Sequence, residues 1–152
     1  MTTNLQKTLN AIDWPSFDTA YGPATKIPLY LQALWATDAT NRLDAAHDLW
    51  CSLCHQRAYV SSAAWPALPF LVCAFDHAAA HEDHALTAEL LDIFLGFAQC
   101  TTHRRGVTRP NWMTELRGGV RAERARFEAL RASTTQDVAD LAHAILEALD
   151  MP

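Results

Sequence analysis

An all-α chain of packed helical hairpins is the fold this sequence predicts, and three observations predict it. Half of the 152 residues are hydrophobic and 19% are charged, which suits a folded core. Only five glycines are present, Ala and Leu abound, and Val and Ile are sparse. Glycine and β-branched residues disfavour helix, so this balance favours it. Apolar residues recur at helical spacing, as in Leu43, Ala46, Leu49, Trp50 and Leu53. The length suits one domain, residues 1–152, and such a domain hides roughly two-thirds of its unfolded surface without staples.

The elements follow in order. Residues 4–12 read as a first short helix. A second is expected from Asp13-Trp14-Pro15, where Asp13 can cap and Pro15 suits a first turn, to a stop at Tyr21-Gly22-Pro23. A third runs from about Lys26 to Ala36, with Ile27, Leu31 and Leu34 on one side. After the connection Thr37-Asp38-Ala39-Thr40, Asn41 to Leu53 is strongly amphipathic. A loop with Tyr59 leads to an apolar helix from Trp65 to about Ala78, whose start Pro69 should tighten or kink. Ala78 to Asp83 is a polar connection, and Ala85 to Ala98 a buried helix. Thr101 to Asn111 is the longest loop. Trp112 to Arg131 is helix, bent at Gly118-Gly119. Ser133 or Thr134 should cap a last helix from Gln136 to Leu149. Trp14, Trp50 and Trp112 are expected in the core, and Trp35 and Trp65 are weighed between burial and a surface anchor.

An internal repeat organises these helices. Tyr30–Leu53 aligns without gaps on Arg126–Leu149: Ala33 meets Ala129, Leu34 meets Leu130, Asp44 meets Asp140, Ala46 meets Ala142, and His47 meets His143. A middle copy from Pro69 to Leu95 aligns Pro69 with Pro28 and, one residue longer in the turn, Ala88 with Ala46 and Leu91 with Leu49. The first two copies are about forty residues apart, the length of a HEAT or armadillo unit. Such a hairpin cannot bury its apolar face alone, so neighbours must stack. The expected architecture is a short right-handed α-solenoid of about three HEAT-like hairpins with an N-terminal helical cap, and strand nearly absent.

The formal net charge of −5 argues against nucleic acid, whose phosphates demand a surplus of Lys and Arg. The one basic stretch, Arg104, Arg105, Arg109, Arg117, Arg121, Arg124, Arg126 and Arg131, is interleaved with Glu115, Glu123 and Glu128. It reads as a solvated helix face with pairs such as Arg124 and Glu128. No apolar run approaches the roughly twenty residues that span a bilayer, and the N-terminus is not a secretory signal, so a cytoplasmic protein is expected. Cys51, Cys54, Cys73 and Cys100 should then be thiols.

Residue spacing suggests several chemistries. Cys51-Ser52-Leu53-Cys54-His55 spells a haem-attachment pattern, but that attachment needs export. His47, Cys51, Cys54 and His55 share one helix face, and Cys73, His77, His81 and His84 repeat the theme; both suit zinc in ligand type. Zinc ligands usually come from two separated elements, so buried cysteines are the plainer expectation, with no metal and no cofactor. No nucleophile elbow, P-loop or dinucleotide loop is present, and no enzyme is expected.

The stretch from Trp14 through Phe75 resembles a family of bacterial HEAT-repeat-containing proteins. The likeness lies in "DWPSFDTAYGPATKIPLYLQAL", "ATDATNRLDAAHDLW" and "HQRAYVSSAAWPALPFLV". Arg57 stands where the family's His-Gln-Gly-x-x-Tyr-like turn carries Gly, a residue that suggests positive φ. The resemblance implies an α-solenoid that binds protein and, for some members, toxin neutralisation. The acidic second-helix face, with Arg42, Asp44, Asp48, Glu89, Asp92, Asp137 and Asp140, would suit a basic toxin domain, because opposite charge speeds and orients capture. The candidate binding residues are thus Arg42, Asp44, Asp48, Glu89 and Asp92, joined by His55, Gln56 and Tyr59 of the turn. A cytoplasmic scaffold without a toxin, or a zinc-stabilised helical protein, stands as the alternative.

Overall fold

The computed structural model describes residues 1–102 and 108–151. Arg104 and Arg105 of the basic stretch, and much of the connection expected at Thr101–Asn111, lie outside the described residues. Among those described, the chain is mostly helical, with α1 Thr3–Ala11, α2 Ile27–Ala33, α3 Ala39–Cys54, α4 Ala64–Ala80, α5 His84–Cys100, α6 Asn111–Ala122, α7 Arg124–Leu130 and α8 Gln136–Asp150. None of these helices is long and apolar enough to cross a membrane.

Side chains start three of the helices. The Thr2 hydroxyl accepts from the Leu5 N–H at 3.3 Å, the Asp38 carboxylate from the Asn41 N–H at 2.9 Å, and the Asp83 carboxylate from the Leu86 N–H at 3.1 Å. Each satisfies a donor that a helix start leaves orphaned. The last helix differs from expectation. Ser133 Oγ accepts from Thr135 N–H within the preceding turn, and no side chain caps α8.

Two stretches depart further from the sequence reading. No helix follows Asp13. Trp14–Ser16 form a single 3-10 turn, and Asp18–Thr19 (β1) pair antiparallel with Gly22–Pro23 (β2). Tertiary bonds explain the difference. The Asp18 N–H donates to Ser62 Oγ, the Ala20 N–H to the Ser52 carbonyl, and the Asp18 carbonyl accepts from Ala63 N–H. These partners draw the backbone out into an extended path, and Gly22 turns it at φ 108°. The helix expected from Trp112 to Arg131 is broken at Glu123, not bent at the glycine pair. Gly119 serves close packing instead, since a Cβ there would lie 2.4 Å from Leu68 Cδ2. Pro69 does not interrupt α4, because it sits inside the helix on its exposed side.

The helices pack in two rows. In one, α5 lies between α3 and α8; in the other, α4 lies between α2 and α6. Across the rows, α2 packs on α3, α4 and α6 on α5, and α7 on α8. The apolar faces form one continuous core, with Phe70, Phe94, Phe97 and Phe127 fully enclosed. Burying each such ring contributes roughly 1.5–3 kcal/mol. Phe94 links the rows, meeting Phe75 edge-on at 5.7 Å and Phe127 at 5.8 Å. Trp14 is buried, and its indole N–H donates to the Leu9 carbonyl at 3.0 Å. Trp35, Trp50, Trp65 and Trp112 are half-buried against the core.

Arg117 corrects the reading of the basic stretch as a solvated face. It is only 6% exposed, and its guanidinium donates to the carbonyls of Ala98, Ala148, Leu149 and Met151. Arg121 adds a bond to the Leu149 carbonyl at 3.0 Å. The last carbonyls of α5 and α8 carry the negative end of each helix dipole, and these cations meet them there. The expected pair of Arg124 with Glu128 is present at 2.9 Å, extended by Asp150 at 2.7 Å.

Candidate functional site

The row α3–α5–α8 shows an exposed side rich in carboxylates. Asp44 and Asp48 are exposed on α3, Glu89 and Asp92 are half-buried on α5, and Asp137, Asp140 and Glu147 are exposed on α8. Little positive charge offsets them: Arg57 Nε lies 3.3 Å from Asp92 Oδ1, and His143 pairs with Glu147 at 3.4 Å. Desolvation, then the neighbouring Asp92, raises the Glu89 carboxyl above its ordinary value, while His47 opposes the shift.

Arg42, a candidate binding residue, is occupied inside the molecule. Its Nε and Nη2 donate to Asp83 Oδ2 at 3.1 and 2.9 Å, and its Nη1 donates to the carbonyls of Ala36 and Thr37. It ties the end of α2 to the capping residue of α5, so four of its five N–H donors are used inside the molecule.

The remaining candidates gather where α3 ends. His55, Gln56 and Arg57 have φ of 40°, 55° and 67°, the left-handed region, with no glycine among them. Each non-glycine residue there costs roughly 1–2 kcal/mol. Arg57 thus adopts the positive φ that the sequence reading expected at this position. Long-range bonds hold the corner: Ser61 N–H donates to the Leu53 carbonyl at 2.8 Å, and Cys100 Sγ to the Arg57 carbonyl at 3.4 Å. Inside the corner, α5 approaches so closely that a Cβ on Gly96 would lie 2.6 Å from Cys54 Sγ.

The outer side of the corner is aromatic. The His55 ring lies 4.9 Å from Tyr59 and 6.0 Å from Tyr21, and both tyrosines are exposed. His55 Nδ1 is buried without a hydrogen-bond partner in the described residues. Beside it opens a groove of about 470 Å³ between the β1–β2 turn, the start of α2 and the outer face of α3. Tyr21, Lys26, Tyr30, His47, Asp48 and Cys51 line it. His47 Nε2 lies 3.6 Å from Cys51 Sγ, one helical turn away. Desolvation, then the hydrogen bond and charge of Cys51, raises the Tyr21 phenol above its ordinary value.

The structure thus brings Asp48, His55 and Tyr59 to one corner, leaves Asp44 on the adjoining helix face, and separates Arg42. Gln56 is exposed at the same corner. The groove's Tyr21, Lys26 and Tyr30 were not among the expected site residues. Their only sequence signal is a tyrosine placed before a turn glycine, on a connection of the kind that carries binding groups.

The metal-ligand sets do not assemble. Cys54 is buried, donates to the Trp50 carbonyl at 3.2 Å, and has its thiol pushed up to about 12 by burial. It turns away from the Cys51 side of the helix. His77 and His81 stack at 4.1 Å, and His77 is lowered by desolvation and then by His81. Among the described residues, no three His, Cys, Asp or Glu side chains converge as a metal cage requires.

Comparison of the chain with protein families, with curated proteins and with solved structures finds no match.

Proposed function

We propose that the chain is a short HEAT-like solenoid that binds another protein, and that it acts as an immunity-type inhibitor covering a basic toxin domain. The carboxylate row across α3, α5 and α8 carries this reading. Three helices from successive hairpins lie side by side and turn Asp44, Asp48, Glu89, Asp92, Asp137, Asp140 and Glu147 outward. A row of second helices is the surface that stacked repeats use for binding. Its charge suits a cationic partner, whose encounter it would accelerate.

The exposed corner supports an anchor at one end of that row. Tyr21 is 67% exposed and Tyr59 47%, next to an orphaned imidazole nitrogen. Tyrosines in such positions commonly carry much of an interface's energy.

The test is capture of partners from native host lysate, followed by affinity measurement with Asp44→Lys combined with Asp48→Lys. One basic protein recovered at near-equal stoichiometry, with affinity lowered about tenfold or more by the double substitution and far-UV circular dichroism unchanged, is the expected result. Affinity unchanged by the double substitution would overturn the acidic-face reading.

A further inference from the structure

Four cysteines occupy four different environments, and one of them sits in the wall of a groove. Cys54 is enclosed against Gly96 and protonated over a wide pH range. Cys100 lies at the Arg57 carbonyl. Cys73 is exposed on α4, with its thiol raised by desolvation and then by Asp76. Cys51 is half-buried, lines the groove, and has an imidazole nitrogen 3.6 Å from its sulfur.

We infer that Cys51 is a thiol-modification site, activated by His47, that takes one half of a low-molecular-weight disulfide into the groove. His47 Nε2 stands close enough to accept the thiol proton, the role an adjacent base plays for an activated nucleophile. The Cys51 thiolate attacks one sulfur of R–S–S–R. A new S–S bond joins Cys51 Sγ to that sulfur, giving Cys51–S–S–R; the S–S bond of the reagent breaks, and the second sulfur leaves as R–S⁻ with the electron pair and takes up the proton held by His47. The protein thiol is oxidised and the disulfide is reduced, so no further redox partner is needed.

The groove is built to hold the adduct. Its volume of about 470 Å³ exceeds that of a small thiol fragment, and Tyr21 and Tyr30 provide apolar walls. Ser52 also lines it and is only 7% exposed, which adds a hydroxyl to the wall. A polar fragment seated there would lie beside that hydroxyl, which can donate or accept. The charged and titratable groups around the pair are Asp48, Lys26, Tyr21 and Tyr30 in the groove, with Glu89 of α5 on the far side of His47. An i,i+4 pairing of Cys with His also places both groups on one exposed helix face, where a reagent can arrive.

The test uses the full chain and 2-hydroxyethyl disulfide, an uncharged probe, with adduct formation at each cysteine followed by peptide mass spectrometry at pH 7. Cys73 is the internal reference, because it is more exposed than Cys51 and no imidazole is hydrogen-bonded to it among the described residues. Cys51 should form the mixed disulfide about tenfold faster than Cys73, and His47→Gln should remove that advantage without changing the Cys73 rate. Equal rates at Cys51 and Cys73 in the unsubstituted protein would overturn the inference. So would a Cys51 rate unaffected by His47→Gln.

Discussion

Two helix endings in this molecule solve the same problem in opposite ways. Any helix leaves its last carbonyls without intrahelical partners. At the ends of α5 and α8, the buried Arg117 guanidinium reaches the carbonyls of Ala98, Ala148, Leu149 and Met151, and Arg121 assists. At the end of α3, His55, Gln56 and Arg57 turn the chain left-handed without a glycine, and His55 Nδ1 stays unpaired. The first ending is met by cationic side chains and lies within the fold. The second is met by the backbone N–H groups of Ala20 and Ser61, and it carries backbone strain and an unpaired imidazole nitrogen beside an exposed aromatic corner. Strain and orphaned groups persist only where the surroundings hold them in place, and they concentrate at functional sites. The contrast is the reason the proposed anchor is placed at the α3 corner.

The largest effect that sharpens this contrast is expected at the Arg117 end. Arg117→Met should lower stability by about 3 kcal/mol, since it leaves several buried carbonyls without a donor. Urea denaturation measures it, and a loss below about 1 kcal/mol would remove Arg117 from its role as the tie between two helix ends.

Next comes the close approach beneath the α3 corner. Gly96→Ala should cost about 1–3 kcal/mol despite the better helix propensity of alanine, because its Cβ meets a short, buried side chain rather than a flexible tip. Adding Cys54→Ala should recover part of that loss, since the nearest atom to the new Cβ is Cys54 Sγ at 2.6 Å. Additive losses in the double variant would show that the contact is not the cause.

The strain itself predicts a gain. Gln56 is exposed at φ 55°, and no other residue is hydrogen-bonded to its side chain among those described. Gln56→Gly should stabilise the chain by about 1 kcal/mol, read as a raised urea midpoint with an unchanged slope. A loss of stability would mean that the corner is not strained, and the contrast with the Arg117 end would fail.

The smallest effect is electrostatic. The Glu89 carboxyl is raised in the folded state by desolvation first and then by Asp92. A raised pKa means that the protonated form favours folding. This contribution is fully present below the unfolded value near 4.5 and is lost as pH rises through the folded value. Glu89→Gln should therefore melt at a higher temperature than the parent at pH 7, with the difference closing on acidification below about 4.5. A difference that is constant with pH would exclude the ionisation as its source.

Local chemistry made much of the helical layout legible in advance. Asp38 and Asp83 stand at helix starts in connections recognised from composition, and the apolar spacing of α3, α5 and α8 matches the faces they bury. The pair of Arg124 with Glu128 follows from i,i+4 spacing alone. The failures share a cause as well. Asp13-Trp14-Pro15 has the residues of a helix start, but Ser52, Ser62 and Ala63, distant in sequence, claim the backbone that follows. Gly118-Gly119 looks like a hinge, yet Gly119 answers to the packing of Leu68.

The candidate site divides along the same line. Asp48, His55 and Tyr59 were recognisable from face position and turn pattern, whereas Tyr21, Lys26 and Tyr30 reach the groove only because the β1–β2 turn folds over α3. Arg42 and Arg117 look in the sequence like surface cations and prove to be internal ties.

By itself the sequence determined the helical class, the spacing of the hairpins and the acidic character of one set of helices, because propensity, periodicity and charge are properties of neighbouring residues. The tertiary structure alone decided which cations are free, where glycine serves packing, and which thiol meets an imidazole at the wall of a groove. Those outcomes depend on distances between residues far apart in the chain, and a carbonyl or sulfur acquires its partner only when packing brings the two together.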